Sequence, residues 1–265
     1  MTNPLADLFD RVADRYDEKV PFFKTLGRQL AAFAELAPDA TVLDVGVGRG
    51  AVAIGCLERL DTGTVTAIDV SPQMIEQVNA LGLPRLNAQV MDVNALDLPD
   101  ASFDAVTSGF TLHFLPDKIG ALAEIRRVLQ PGGSVCFSTP GDNPAAGSWP
   151  AAYGEIYGTF MTRLPDGDNG GFAAPDQSWA EVAQAAGLTL TAEAPQMIDL
   201  PLPGPDAYWD WLMSHGARWL YDALPEADAA EFKAAVLDSF VQQHPTKGHN
   251  LLLGPRFYQM TKAHG

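Results

Sequence analysis

At 265 residues the chain is long enough for one large core, or one core carrying a cap, so a single domain is the expectation. Hydrophobic residues make up 47% and charged residues 19%, an ordinary globular balance. The net charge of −16 argues against the concentrated basic surface that nucleic-acid binding needs and disfavours an anionic membrane surface.

Residues 4–18 carry Leu5, Leu8, Phe9, Val12 and Tyr16 on one helical stripe, with Pro4 in the first turn. Asp7, Asp10 and Asp14 interrupt the apolar residues, so this is no signal peptide, and no run approaches membrane length. The chain reads as cytoplasmic. A second helix spans about 22 to 37, with Leu26, Leu30 and Phe33 inward, and Pro38 stops it. Residues 1–37 thus form an N-terminal helical unit.

The run Thr41 to Val45 stops at Gly46, Gly48 and Gly50 and resumes as a helix from Ala51 to Leu60. This is a strand, a tight turn and a helix, in which glycine permits positive φ and lets a ligand approach main-chain amides. A dinucleotide site wants G-x-G-x-x-G, whereas the spacing here is G-x-G-x-G. Asp44, two residues before the first glycine, can take a hydrogen bond or a positive charge from a ligand and would repel a pyrophosphate.

Thr64 to Val70 is a β-branched run with Asp69 near its end, placed where an acid hydrogen-bonds ribose hydroxyls in α/β nucleotide sites. Ser71 is an N-cap, Pro72 takes the first helical position, and Gly82 closes the helix. Ala88 to Val93 is a third strand, from which Asp92 can accept from an adenine amino group while Val93 or Met74 packs on the ring. Phe103 to Ser108 is a fourth strand, leading into Gly109-Phe110-Thr111-Leu112-His113 at the edge where parallel sheets place chemistry. A helix from Asp117 to Gln130, ended by Pro131-Gly132-Gly133, and a strand from Val135 to Ser138 follow.

Leu43 to Gly50, Ala67 to Ser71, Met91 to Val93, Phe103 to Ser108 and Leu129 to Gly133 occur together over residues 38–140. In order and spacing they resemble the class I S-adenosylmethionine-dependent methyltransferases. The resemblance implies an α/β, Rossmann-like sheet of seven mostly parallel strands, the last antiparallel, with helices on both faces. It implies S-adenosyl-L-methionine as cofactor, Asp69 on its ribose, Asp92 at its adenine end, Tyr16 over its methionine end, and further contacts at Val70 and Ser108.

Residues 141–177, rich in Gly, Pro and aromatics, read as a cap insertion, from which Trp149, Tyr153 and Tyr157 offer themselves as substrate contacts together with Phe110. Ser178 to Glu181 is a capping box opening a core helix, and residues 178–195 end in a strand. Residues 196–253 read as a second cap of two helices, with Tyr208, Trp211, Trp219 and His215 at helical spacing. Residues 254–265 carry the last strand.

Methyl transfer is an in-line displacement that depends on positioning, so it needs no fixed catalytic triad. His113 and His215 are the candidate bases. Cys56 and Cys136 read as buried hydrophobes, and His244 and His249 lack a carboxylate at ligand spacing, so no metal site is expected. The expected activity moves a methyl group to oxygen, nitrogen or carbon of a small, largely apolar metabolite. The alternatives are a nicotinamide-dependent oxidoreductase, and a methyltransferase fold kept as a cyclase or binding scaffold. The sequence fixes neither the acceptor nor the oligomeric state.

Overall fold

Strand β1 (Thr41–Val45) lies inside a parallel sheet, with β2 (Thr64–Asp69) on one side and β4 (Phe103–Gly109) on the other. The structure is a computed structural model and describes residues 22–141, 149–164, 177–215, 218–243 and 249–264. Tyr16 and the expected helix over 4–18 lie outside these residues, as do His244 and the side chains of Trp149 and His249.

Period-two alternation along β1 sends Val42 and Asp44 to one face and Leu43 and Val45 to the other. The first face is covered by α1 (Phe22–Phe33), α2 (Ala51–Leu57) and α3 (Pro72–Ala80), the second by α4 (Lys118–Val128) and α6 (Trp179–Ala185). With β3 (Leu86–Val90), β5 (Leu129–Thr139), β6 (Thr189–Pro195) and β9 (Arg256–Thr261), the sheet runs β3-β2-β1-β4-β5-β9-β6. β9 is antiparallel to both neighbours, which gives the expected seven-stranded sheet with its last strand reversed.

The expected caps form. Ser71 Oγ accepts from Met74 N at 3.1 Å with Pro72 in the first turn of α3, and Ser178 and Glu181 complete a reciprocal capping box on α6. Each such cap stabilises its helix by about 1 kcal/mol. One terminator acts differently from its sequence reading. Helix α4 ends at Val128, and Pro131-Gly132-Gly133 lies within β5 as an irregularity in its pairing with β4, where Gly132 takes φ +80°.

Helices α1 and α2 meet backbone to backbone. A Cβ on Gly27 would sit 2.2 Å from Ala51 O, and one on Gly55 would sit 2.7 Å from Gly27 O. Only glycine permits that approach, and it brings the first turns of α1 beside the glycine turn after β1.

The cap consists of α5 (Trp149–Met161), α7 (Pro205–Leu212), α8 (Arg218–Ala223), α9 (Glu226–Gln243) and a two-stranded sheet of β7 (Ile198–Leu202) with β8 (His249–Leu253). The two-helix reading of 196–253 is therefore corrected. Ile198, Leu200 and Leu202 alternate inward with exposed Asp199 and Pro201, which is a strand period. Phe160 of α5 packs on Phe232 of α9 at 5.3 Å between ring centroids, and Arg163 reaches Asp228 and Glu231, so the two insertions form one body.

Candidate active site

The turn after β1 is built as its glycines require. Gly46, Gly48 and Gly50 have φ of +70°, +52° and +88°. A Cβ on Gly46 would fall 2.1 Å from Thr111 Oγ1. The loop's amides are bound within the protein, contrary to the expectation that they face a ligand. Gly46 N and Val47 N donate to Ile68 O, Gly50 N donates to Val47 O, and Gly48 N donates to Asp69 Oδ2 at 2.9 Å. Beside the turn lies an open hollow of about 350 Å³, lined among others by Phe23, Leu26, Gly46, Gly48 and Gly109.

Asp44 lies beneath the turn, 1% exposed, facing α2, so the sequence reading of it as an open ligand contact is corrected to a buried one. Its Oδ1 accepts from Thr107 Oγ1 at 2.8 Å, while Oδ2 has no hydrogen-bond partner among the described residues. Burial pushes its carboxyl up to about 7, partly opposed by hydrogen bonding from Thr107 and the Ala53 backbone amide and reinforced by the charge of Asp69. Asp69 Oδ1 accepts from Ser71 N at 3.0 Å, so both its oxygens organise the turns after β1 and β2. Asp69 pairs in register with Val90, two residues before Asp92, and Met91 N donates to Asp69 O. Both acids therefore stand at the same edge of the sheet, Asp69 as the last residue of β2 and Asp92 two residues beyond the end of β3, which stops short of the expected Val93. Asp92 is exposed and accepts from Asn94 N and Nδ2, each at 2.9 Å.

Several expected contacts prove to be core. Met74 is 1% exposed, and Val93 packs in the cluster of Ile68 and Leu96. Neither offers a free surface to an adenine ring. Ser108 is fully buried and donates to Val45 O, clamping β4 to β1. Val70 is half-buried at the end of β2.

Next to the hollow, which Phe23 lines, the chain brings five rings into a closed circuit. Phe22 meets Phe110 at 5.6 Å and Trp211 at 5.7 Å; Trp211 meets His215 at 4.6 Å; His215 meets Phe23 at 6.0 Å; Phe23 meets Phe110 at 6.2 Å. His113, on a short 3-10 turn, joins through Phe110 at 5.9 Å. The two candidate bases therefore reach one cluster. Both are neutral at physiological pH: burial and the charge of Lys118 push His113 down to about 3, and burial pushes His215 down to about 4. Tyr208 is buried and stacks on Phe240 within the cap, a structural placement that corrects its reading as pocket wall. Tyr153, Tyr157 and Trp219 are half-buried against the same core.

Residues 43–137 match a methyltransferase domain family model. The chain is 37% identical over 138 residues to aklanonic acid methyltransferase DauC of Streptomyces sp. (strain C5), a match covering 50% of this chain and 63% of that enzyme. It is 29% identical to nocamycin O-methyltransferase of Saccharothrix syringae over 91% of this chain and 92% of the relative. Residues 43–137 thus carry a methyltransferase domain, and the match to DauC spans less than two thirds of that enzyme. The crystal structure of the cyclase SpnF, 22% identical, superposes with a TM-score of 0.56 over 91% of this chain and 81% of that one, so the same fold also carries a cyclase.

Several residues that shape this site were not singled out from the sequence. Thr111 covers Gly46, Thr107 holds Asp44, and Phe22 and Phe23 build the aromatic circuit. The signal for the last pair is its place: adjacent aromatics directly after Pro21, opening a helix whose glycine brings it to the cofactor turn. Thr107 and Thr111 carry no such signal, since their partners are 63 and 65 residues away.

Proposed function

We propose that this protein transfers a methyl group from S-adenosyl-L-methionine to oxygen, nitrogen or carbon of a small, largely apolar metabolite, working in the cytoplasm. The observation that carries the reading is the pairing of acids with the glycine turn. Asp44, whose Oδ2 has no hydrogen-bond partner among the described residues, and Asp69 lie under and beside Gly46 to Gly50, close enough that the charge of Asp69 raises the cost of charge on Asp44. Two carboxylates there suit a sulfonium, an amino group and sugar hydroxyls, and oppose a pyrophosphate. This disfavours a nicotinamide dinucleotide.

In this reading Asp69 takes the ribose hydroxyls, Asp92 the adenine amino group, and Asp44 holds a negative field beneath the methionyl end, to which Tyr16 also belongs. Bound there, S-adenosylmethionine supplies a methyl carbon on a positive leaving group that is already activated. What remains for the chain is to hold the acceptor in line and to exclude water. The aromatic circuit around Phe110 provides a dry wall for that purpose. The two relatives described above, an aklanonic acid methyltransferase and a nocamycin O-methyltransferase, support a small-metabolite acceptor.

Titration calorimetry with S-adenosylmethionine and its demethylated product tests the reading. Micromolar binding of both is expected, while no heat with either at millimolar ligand overturns it. Enhanced fluorescence of reduced nicotinamide on mixing would favour the oxidoreductase instead.

A further inference from the structure

Among the described residues, four other than glycine take a left-handed backbone conformation: Glu35, Arg85, Ala101 and Phe110. The first three are exposed, Glu35 two residues beyond α1, Arg85 directly before β3 and Ala101 two residues before β4. Phe110 differs on both counts. It is half-buried, and it follows β4 at the sheet edge that carries the glycine turn. A bulky L-residue at φ +52° works against its own preference, which favours the right-handed region by about tenfold, so its surroundings must hold it there.

Ser138 opposes the relaxation. Its hydroxyl, buried near the end of β5, accepts from Phe110 N at 3.0 Å, and Gly109 stands opposite Ser138 in the β4–β5 register. The turn that follows carries Thr111 to the end of β1. There Thr111 Oγ1 donates to Gly109 O at 3.2 Å and reaches Gly46 O at 3.5 Å, and the side chain fills the space that a Cβ on Gly46 would need. Gly46 and Gly109 both line the hollow beside the turn. The strained residue therefore lies between two glycine contacts of that hollow, with a buried hydroxyl on one side of it and Thr111 on the other.

Resting on the methyl-transfer reading above, we infer that Ser138 and Thr111 are positioning residues for S-adenosyl-L-methionine. The Ser138 hydroxyl keeps Phe110 left-handed, and the resulting turn sets Thr111 on Gly46, so that the glycine turn has its binding shape before the cofactor arrives. The strain at Phe110 is the cost of that readiness. Without the Ser138 acceptor, Phe110 relaxes toward the right-handed region, Thr111 leaves Gly46, and the glycines gain freedom that binding must remove again. The effect falls on cofactor affinity and runs through the conformation of residue 110.

A double-mutant cycle, read by titration calorimetry with the demethylated product of S-adenosylmethionine, tests this. Ser138→Ala should weaken binding about tenfold, the factor by which an L-residue disfavours the left-handed region. Glycine has no such preference, so in a Phe110→Gly background the same Ser138→Ala change should weaken binding about twofold or less. A serine that merely held β5 in place would cost the same in both backgrounds. Thr111→Ala, which strips the cover from Gly46, should weaken binding about as much as Ser138→Ala, and combining the two should add little. Equal losses from Ser138→Ala in the two backgrounds, or affinity unmoved by Ser138→Ala or by Thr111→Ala, would overturn the inference with the methyl-transfer reading intact. If Phe110→Gly does not fold, Phe110→Asn, which tolerates the left-handed region, takes its place in the cycle. Absence of cofactor binding to the native protein would instead remove the methyl-transfer reading, and this inference with it.

Discussion

The cofactor turn and the aromatic cap solve opposite problems in one molecule. The turn is built from contiguous residues whose backbone demands are local, with glycines at positive φ, a serine cap and acids at strand ends. It carries its polar groups at the edge of the sheet, and almost all of them are satisfied. The aromatic circuit is assembled from segments nearly 200 residues apart, as in the contact of Phe22 with Trp211, and buries Trp211 Nε1, which has no hydrogen-bond partner among the described residues, in an apolar setting. The difference shows where specificity is placed. The cofactor end is fixed by backbone shape, and the acceptor end by the packing of large side chains.

If these regions are energetically separable, a lesion in one should leave the other working. Phe232 is fully buried between Phe160 and Trp209, far along the chain from the glycine turn. Phe232→Ala should cost about 3–5 kcal/mol in chemical denaturation. Cofactor affinity measured below the new midpoint should stay within about twofold. A collapse of cofactor affinity would show that the two regions fold as one energetic unit.

The regions should also answer pH with opposite signs. The Asp44 carboxyl is raised in the fold to about 7 from 3.8, so the native state holds its proton where the unfolded chain has lost it. Its penalty is absent below about pH 4, grows as pH rises, and is complete above about pH 7, with a ceiling of about 4 kcal/mol. His113 and His215 are depressed, so the unfolded chain binds protons that the native state refuses. Their contribution is lost as pH falls below about 6.5. Asp44→Asn should therefore remove the fall in stability between about pH 4 and pH 7 and leave the histidine-driven rise. Denaturation midpoints across that range would show it, and an unchanged profile would mean that Asp44 is solvated.

A smaller effect sharpens the cofactor side. Asp69→Ala removes the acceptor of Gly48 N and Ser71 N as well as the proposed ribose contact. Affinity for S-adenosylmethionine should drop by about 1.5–3 kcal/mol in calorimetry. Unchanged affinity would mean that the ribose assignment is wrong.

Much of the core was legible because its rules act over a few residues. The alternation of Val42 to Val45, the pattern Ser71-Pro72 and the capping box from Ser178 each state a local requirement that the fold then meets. The cap was legible in part. The spacing of Tyr208 and Trp211 announces the helix over Pro205–Leu212, but the strand over Ile198–Leu202 is not announced, because its partner, His249–Leu253, is some fifty residues further on. The site residues divide the same way. Asp69 and Asp92 reach one sheet edge as strand register requires. Met74, Val93 and Ser108 do not face the site, because the face on which a side chain lands depends on what packs above it.

By itself the sequence determined where the cofactor turn lies, which acids accompany it and how the strands are ordered, since φ, capping and periodicity are properties of neighbouring residues. Only the tertiary structure decided that Asp44 is sealed under the turn while Asp92 is open to solvent. It alone brought Phe22, Phe23, Phe110, Trp211 and His215 into one circuit, with both histidines neutral. Burial and contact between distant segments depend on how helices and cap close over the sheet, and no stretch of the chain carries that information alone.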